Sequence, residues 1–310
     1  MLLGLREAGG QQRREVAVTF DDLPAVAYVV RTDDARERIT DALLSAVQRH
    51  SVPAIGFVNE GALVSNDSIN GRRVTLLRRW IESGLELGNH TYSHRGLHRS
   101  SLGDYLEDIA RGDSVTSVLL ASVGRRPRYF RHPFLHSGRD LETRQTVERF
   151  LADRGYRIAP VTIDNSDYIF ASAYERATAR ADTAERNRIA TAYVSYMEAV
   201  FEYYERQSVA LLGRELPQVL LLHANLLNAE HFDALARMIA RRGYRFVSLD
   251  RALADPAYRS KDSYTGPSGI SWLHRWALTE GRQGSFFAGE PTVPDDIMKA
   301  ASARTSSSDQ

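Results

Sequence analysis

The chain contains no cysteine. Disulfides and thiol redox chemistry are excluded, and so is a zinc site closed by thiolates. Long apolar runs are missing too: none approaches the roughly 18 residues needed to cross a bilayer, so no membrane-spanning helix is expected. Neither sign of charge is in excess, because 40 Lys and Arg stand against 39 Asp and Glu, a net +1. Without a basic surplus there is no electrostatic case for nucleic acid as a partner. The first ten residues, Met1 to Gly10, have too short an apolar core for a signal peptide and no small-residue cleavage pattern. What is present is ordinary globular material: 310 residues, 43% hydrophobic and 25% charged, enough for one large α/β domain or two small ones.

Short β-rich runs alternate with helical periodicity along this material. Strands are expected at residues 15–20, 54–58, 85–88, 129–131, 157–163, 219–222 and 245–249. Between them, apolar spacing predicts helices over 35–50, 74–83, 101–121, 141–154, a long stretch 171–212, and 229–242. Seven strands alternating with helices imply a parallel sheet, and so many in one domain favour a closed or nearly closed barrel.

The polar chemistry clusters where such a barrel keeps its active site. Asp21, Asp22, His90, Arg131, Asp164 and His223 each fall at or just past the C-terminal end of an expected strand. His90 and His94 are four residues apart, a spacing that on a helical turn points both imidazoles at one ion. A carboxylate from elsewhere would complete a two-histidine, one-carboxylate set that leaves positions open to water, as catalytic sites do.

These residues stand within five segments: Thr19-Phe20-Asp21-Asp22-Leu23-Pro24, His90-Thr91-Tyr92-Ser93-His94, Arg131-His132-Pro133-Phe134, Asp164-Asn165-Ser166-Asp167-Tyr168 and Leu221-Leu222-His223. In order, they resemble the five motifs of the polysaccharide deacetylases, the NodB-homology domain of carbohydrate esterase family 4. The resemblance covers residues 15–250. It implies a distorted (β/α)7-type α/β barrel, a single domain with a helical insertion at about 171–212. Outside it are an N-terminal extension 1–14, a C-terminal extension 251–299 packed on the barrel, and a Ser-rich disordered tail 300–310.

The resemblance also implies roles. Asp22, His90 and His94 match the ligands of one divalent metal ion, usually Zn²⁺, with Co²⁺ as an alternative. Asp21 matches the base that takes a proton from the attacking water, and Arg131 the arginine that orients it. The Phe134 N–H matches the oxyanion donor, with Leu221 and Tyr168 as walls of the acetyl pocket. His223 matches the acid that protonates the leaving amine, and Asp164 the carboxylate that orients His223. Three departures from the family pattern, Leu23 for Gly, Phe134 for Tyr and Tyr168 for Trp, concern pocket shape and leave the acid–base residues intact.

The implied activity is hydrolysis of an N-acetyl group on an amino sugar or its oligomer, with an acetylated saccharide as the partner. Its alternatives are O-acetyl ester hydrolysis on xylan or small esters, and a catalytically silent glycan-binding module. The family points to an exported protein, with a cytoplasmic one as the alternative. Among the other histidines, His98 is a candidate further ligand and His132 and His136 could contact substrate, whereas His50, His231 and His274 read as packing residues. Asp167 could turn its loop or hold a substrate hydroxyl. Trp272 and Trp276 could pack on the barrel or meet a sugar ring.

Overall fold

The computed structural model describes residues 14–302; all but the last residue of the expected N-terminal extension, and most of the tail, lie outside them. Ala300 to Ser302, expected in the disordered tail, instead complete a helix, Asp295–Ser302.

The sheet is built around β1 (Arg14–Leu23), in which Val16 to Phe20 are all buried. Burial on both faces is what a central parallel strand requires. The remaining strands are β2 (Ile55–Val58), the hairpin β3 (Val64–Ser65) and β4 (Ser68–Ile69), β5 (Glu86–Asn89), β6 (Tyr129–Phe130), β7 (Arg157–Ile158), β8 (Gln218–His223) and β9 (Tyr244–Phe246). All but the hairpin lie in one sheet ordered β7-β6-β5-β2-β1-β8, with β9 on the start of β1 and every pairing parallel. The strand expected over 157–163 is interrupted after Ile158. Its far end nonetheless reaches the opposite edge: Ile163 bridges Leu220, with Ile163 N donating to Val219 O and Leu221 N to Ile163 O. The sheet is thereby curled into the distorted barrel implied by the resemblance.

Eleven helices among the described residues surround it. Each expected helix is present, but two are divided. The segment 101–121 forms α3 (Leu102–Arg111) and α4 (Ser114–Ala121), broken at Gly112. A Cβ on Gly112 would lie 2.6 Å from the Thr91 carbonyl carbon, so only glycine lets this chain pass so close to the His90–His94 loop. The long stretch forms α6 (Asp167–Ala179) and α7 (Thr183–Leu212), which ends at Gly213 in the left-handed region, φ 70°. Its buried residues, among them Ile189, Tyr193, Met197, Val200, Phe201 and Tyr204, recur at helical spacing. That stripe packs α7 into the core beside α6 and α8 (Leu226–Arg241), so α7 is a structural layer. The intervening helices are α1 (Asp33–Arg49), α2 (Gly71–Glu82) and α5 (Leu141–Asp153).

After β9 come α9 (Leu249–Leu253), α10 (Trp272–Thr279) and α11 (Asp295–Ser302). The segment leading into α10 docks on the barrel's closing strand: Trp272 N donates to Val161 O at 2.7 Å and Ser271 Oγ to Thr162 O at 2.8 Å. Asp262 is held from two sides, by Arg275 Nε at 2.8 Å and by Arg144 Nη1 on its carbonyl at 2.7 Å. Trp272 and Trp276 are buried in this packing, which leaves neither ring free to stack on a sugar.

Candidate active site

Successive residues of a strand normally face opposite sides, so two adjacent aspartates should diverge. At the end of β1 they do not. Phe20 pairs with Gly56 and Leu23 with Val58, three steps on β1 against two on β2, a bulge that adds one residue where Asp21 and Asp22 stand. Asp22 takes the left-handed conformation, φ 65°, and both carboxylates line one cleft.

His90 and His94 were expected on a helical turn. The chain after β5 is irregular, with Thr91 and His94 at φ 63° and 55°. Asn89, directly before the motif, and Asp108, remote from it in the chain, hold this turn. Asn89 Oδ1 accepts from Thr91 N at 2.7 Å, while Asn89 Nδ2 donates to Ile109 O. Asp108 accepts from Ser93 N and Ser93 Oγ. Strained residues at one place, over-determined by their surroundings, are characteristic of functional loops. Here they bring Asp22 Oδ1 within 3.6 Å of His90 Nε2 and 3.4 Å of His94 Nε2.

The donor set suits a cation. His90 is buried and its Nδ1 lies 2.8 Å from Arg131 O, so that nitrogen carries the proton and Nε2 presents its lone pair. Burial, and then the neighbouring His94, holds its pKa well below the usual histidine value, which keeps the ring neutral. Asp22 Oδ1 is buried with no hydrogen-bond donor. The three ligand atoms lie within 4.8 Å of one another. His98 is not a fourth: its Nε2 accepts from Gly138 N and its Nδ1 donates to Pro267 O, each at 3.1 Å.

Asp21 is 3% exposed and sits 3.5 Å from Nη1 of the fully buried Arg131. Burial pushes its carboxyl up to about 6, against the opposing pull of the Arg131 guanidinium. Asp21 Oδ1 has no hydrogen-bond partner. Arg131 is itself steadied by Thr19 Oγ1 at 3.0 Å and by the Phe57 ring, 4.7 Å away. An unpaired carboxylate oxygen, held in a dry site, is able to accept a proton from substrate water.

His223 was expected to pair with Asp164. The structure corrects this: its partner is Asp167, whose Oδ1 lies 2.6 Å from His223 Nδ1 and whose Oδ2 accepts from His223 N at 2.8 Å. Asp164 bonds its neighbour Asn165 N, and burial with the nearby Glu290 charge pushes it up to about 7, so it is ill-suited to hold an imidazolium. Asp167 opens α6 and is fully buried. Burial alone would raise its pKa, but His223 and donors such as Asn228 Nδ2 hold it below the usual carboxylate range. The helix expected from about residue 171 begins at Asp167, and this earlier start sets the side chain against His223 at the end of β8. Burial tends to lower the His223 pKa; Asp167, followed by Asp22 and Asp21, outweighs it and raises it to about 10.

Asp21, Asp22, His90, His94, Asp164 and His223 open onto one cleft of about 590 Å³, whose lining does not include Arg131 or Asp167. Leu221 and Tyr168 line it, Tyr168 edge-on to His223, and Phe134 stands 4.6 Å from the His94 ring. Phe134 has φ 56°, and no hydrogen bond from its N–H occurs among the described residues. His132 lies beneath, against the Tyr105 hydroxyl. The far wall comes from Pro267, Ser268 and Gly269 of the C-terminal segment. A Cβ on Gly269 would fall 1.8 Å from Phe134 O. Gly269→Ala should therefore push this wall outward and lower stability by about 1–3 kcal/mol, the usual scale for overpacking. An unchanged thermal midpoint would show that the wall is not docked so closely.

Residues 8–159 match the family described as polysaccharide deacetylase. Over 166 residues the chain is 25% identical to a peptidoglycan-N-acetylglucosamine deacetylase of Bacillus cereus, covering 54% of this chain and 50% of that one. The chain thus spans about half the length of this curated relative. Among solved structures, a peptidoglycan N-acetylglucosamine deacetylase in complex with an N-oxidanyl-benzamide compound shares 20% identity at a TM-score of 0.50, covering 79% of this chain and 90% of that one. A carbohydrate esterase family 4 pseudoenzyme from Bacillus anthracis gives 13% identity at the same TM-score, covering 78% and 66%. At such identities the likeness concerns the fold.

Proposed function

Since the chain belongs to the polysaccharide deacetylase family through residues 8–159, we propose that it is a metal-dependent hydrolase that removes N-acetyl groups from an amino sugar or its oligomer. The observation that carries this reading is the convergence on one cleft of the Asp22–His90–His94 donor set, the Asp21–Arg131 pair and the His223–Asp167 pair. A binding module needs no base and no acid beside a cation site. An acetylated cell-wall or chitin-type glycan lies outside the cytoplasm, so an exported location goes with this reading. No helix among the described residues is long and apolar enough to cross a membrane.

Asp22, His90 and His94 would hold one divalent ion, Zn²⁺ by preference, which when bound supplies Lewis-acid chemistry and lowers the pKa of its water from about 15.7 toward 7. Asp21 takes a proton from the water as its oxygen attacks the acetyl carbon. Arg131 keeps Asp21 ionised and aimed. The Phe134 N–H donates to the carbonyl oxygen as charge builds there. Leu221 and Tyr168 flank the acetyl methyl. As the C–N bond breaks, the nitrogen receives the His223 proton from Nε2, while Asp167 accepts from Nδ1 and holds the ring in place. Acetate and a free amine leave.

Chelation should abolish release of acetate from chitin oligomers, and Zn²⁺ or Co²⁺ should restore it, with one ion per chain by elemental analysis. Full activity in chelator, with no metal found, would end the metal-dependent reading. Faster turnover of acetylated xylan or an aryl acetate than of any N-acetyl sugar would reassign the site to ester hydrolysis.

A further inference from the structure

Two guanidiniums line the cleft without a part in this reaction. Arg99 ends the short turn Leu97–Arg99 beyond His94, and Arg139 stands just before α5. Both are exposed, and among the described residues neither has a carboxylate partner. Three arginines near this wall do have carboxylate partners: Arg95 with Asp104, and Arg144 and Arg275 with Asp262. Arg99 lies 5.7 Å from the Phe134 ring, which directs it along the cleft wall.

Arg99 and Arg139 act on the same spot. Burial comes first in lowering the pKa of His136, to about 4, and the neighbours that add to it are His98, Arg99 and Arg139, with no carboxylate opposing. His136 is 8% exposed and stacks on His98 at 4.1 Å and 10°, and the His98 ring is fixed at both nitrogens. The result is a rigid, uncharged shelf between two positive groups. Asp21, Asp22 and Asp164 are gathered elsewhere on the same cleft. A neutral acetylated sugar offers hydroxyls, which do not need two unpaired guanidiniums. A carboxylate or phosphate does, because its paired oxygens match the guanidinium fork.

We propose that the acetylated sugar taken by this site carries an anionic substituent, a carboxylate or a phosphate, which Arg99 and Arg139 bind. The assignment rests on the deacetylase reading and adds a charge requirement to it. Because both side chains remain in contact with solvent, each is worth only a few-fold, about tenfold for the pair, and salt weakens them.

The test compares N-acetylglucosamine oligomers with matched oligomers bearing a 3-O-lactyl carboxylate or an O6 phosphate. In the metal-loaded protein, kcat/KM for one of the two acidic forms should exceed that for the neutral form by about tenfold at low salt, with the gap closing as salt rises. The acidic form that gains more identifies the group. Arg99→Gln with Arg139→Gln should bring acidic and neutral forms to near parity, whereas the double Lys variant should keep most of the preference. Calorimetry on the same sugars supplies a readout independent of turnover. Tighter binding of the acidic sugar that depends on both arginines, with no acetate released, would remove the deacetylase reading and leave the anion site standing. Equal binding and turnover of neutral and acidic sugars, or a preference that survives the double Gln variant, would overturn the proposal.

Discussion

Asp21→Asn should lower turnover by about 10²–10⁴-fold, the scale of a positioned general base, while metal content stays near that of the wild type. Asparagine keeps the volume of the buried side chain and removes only its ability to take a proton. The neighbouring Asp22 Oδ1, close to both His90 and His94, keeps its place in the donor set. Asp21 must be ionised to act, and burial pushes its carboxyl up to about 6. Activity should therefore fall as pH drops through that range, or through a lower one once a dication sits beside it. Arg131 pulls in the opposite direction to burial, so Arg131→Gln should move the acidic limb to higher pH. The measurements are metal analysis and pH–rate profiles of both variants. A metal-free Asp21→Asn protein would mean that Asp21 and Asp22 have exchanged roles.

The second large effect belongs to His223 and its carboxylate. His223→Ala should depress N-deacetylation by about 10²–10⁴-fold and hydrolysis of an activated aryl acetate far less, since a phenolate leaves without a proton and an amine does not. His223 is raised to about 10, so it is protonated at neutral pH and the alkaline limb of the profile belongs largely to it. Asp167→Asn removes the carboxylate that raises it and should move that limb to lower pH by about 1–3 pH units. Asp164→Asn should leave the limb in place. The Asp167 variant should also be less stable. Both Asp167 oxygens accept from donors, His223 Nδ1 on one and His223 N with Asn228 Nδ2 on the other, so an amide NH₂ in either position faces an N–H. The pH dependence of that stability has a definite sign. With the folded His223 value near 10 and the ordinary value near 6.5, its ionic contribution is complete below about 6.5 and is lost as pH rises toward 10. Equal losses on amide and ester, with an unmoved alkaline limb in Asp167→Asn, would mean that His223 is not the acid.

The sequence by itself determined the architecture and the cast of the site. Strand and helix periods are local, so alternating segments announced a parallel sheet, and polar residues following apolar runs announced the face on which they would gather. Asp21, Asp22, His90, Arg131 and His223 were legible for that reason, and His94 by its four-residue spacing from His90. The structure alone decided which groups touch. Whether Asp164 or Asp167 meets His223 depends on how the loop before α6 is held. Asn165 bonds Leu221 O and Tyr196 takes up Ser166 N, contacts 56 and 30 residues apart in the chain. The turn that brings His94 to His90 is set by Asn89 and Asp108, and the space for it by Gly112, none of which carries a motif signal. Arg99, Arg139 and the wall at Pro267 come together from three separate segments, fastened in part by an Arg144–Asp262 bond across 118 residues. Periodicity reports the environment of a residue and its near neighbours. Pairings across such separations are fixed by burial and by the need of each buried polar group for a partner, and these exist only once the chain has closed on itself.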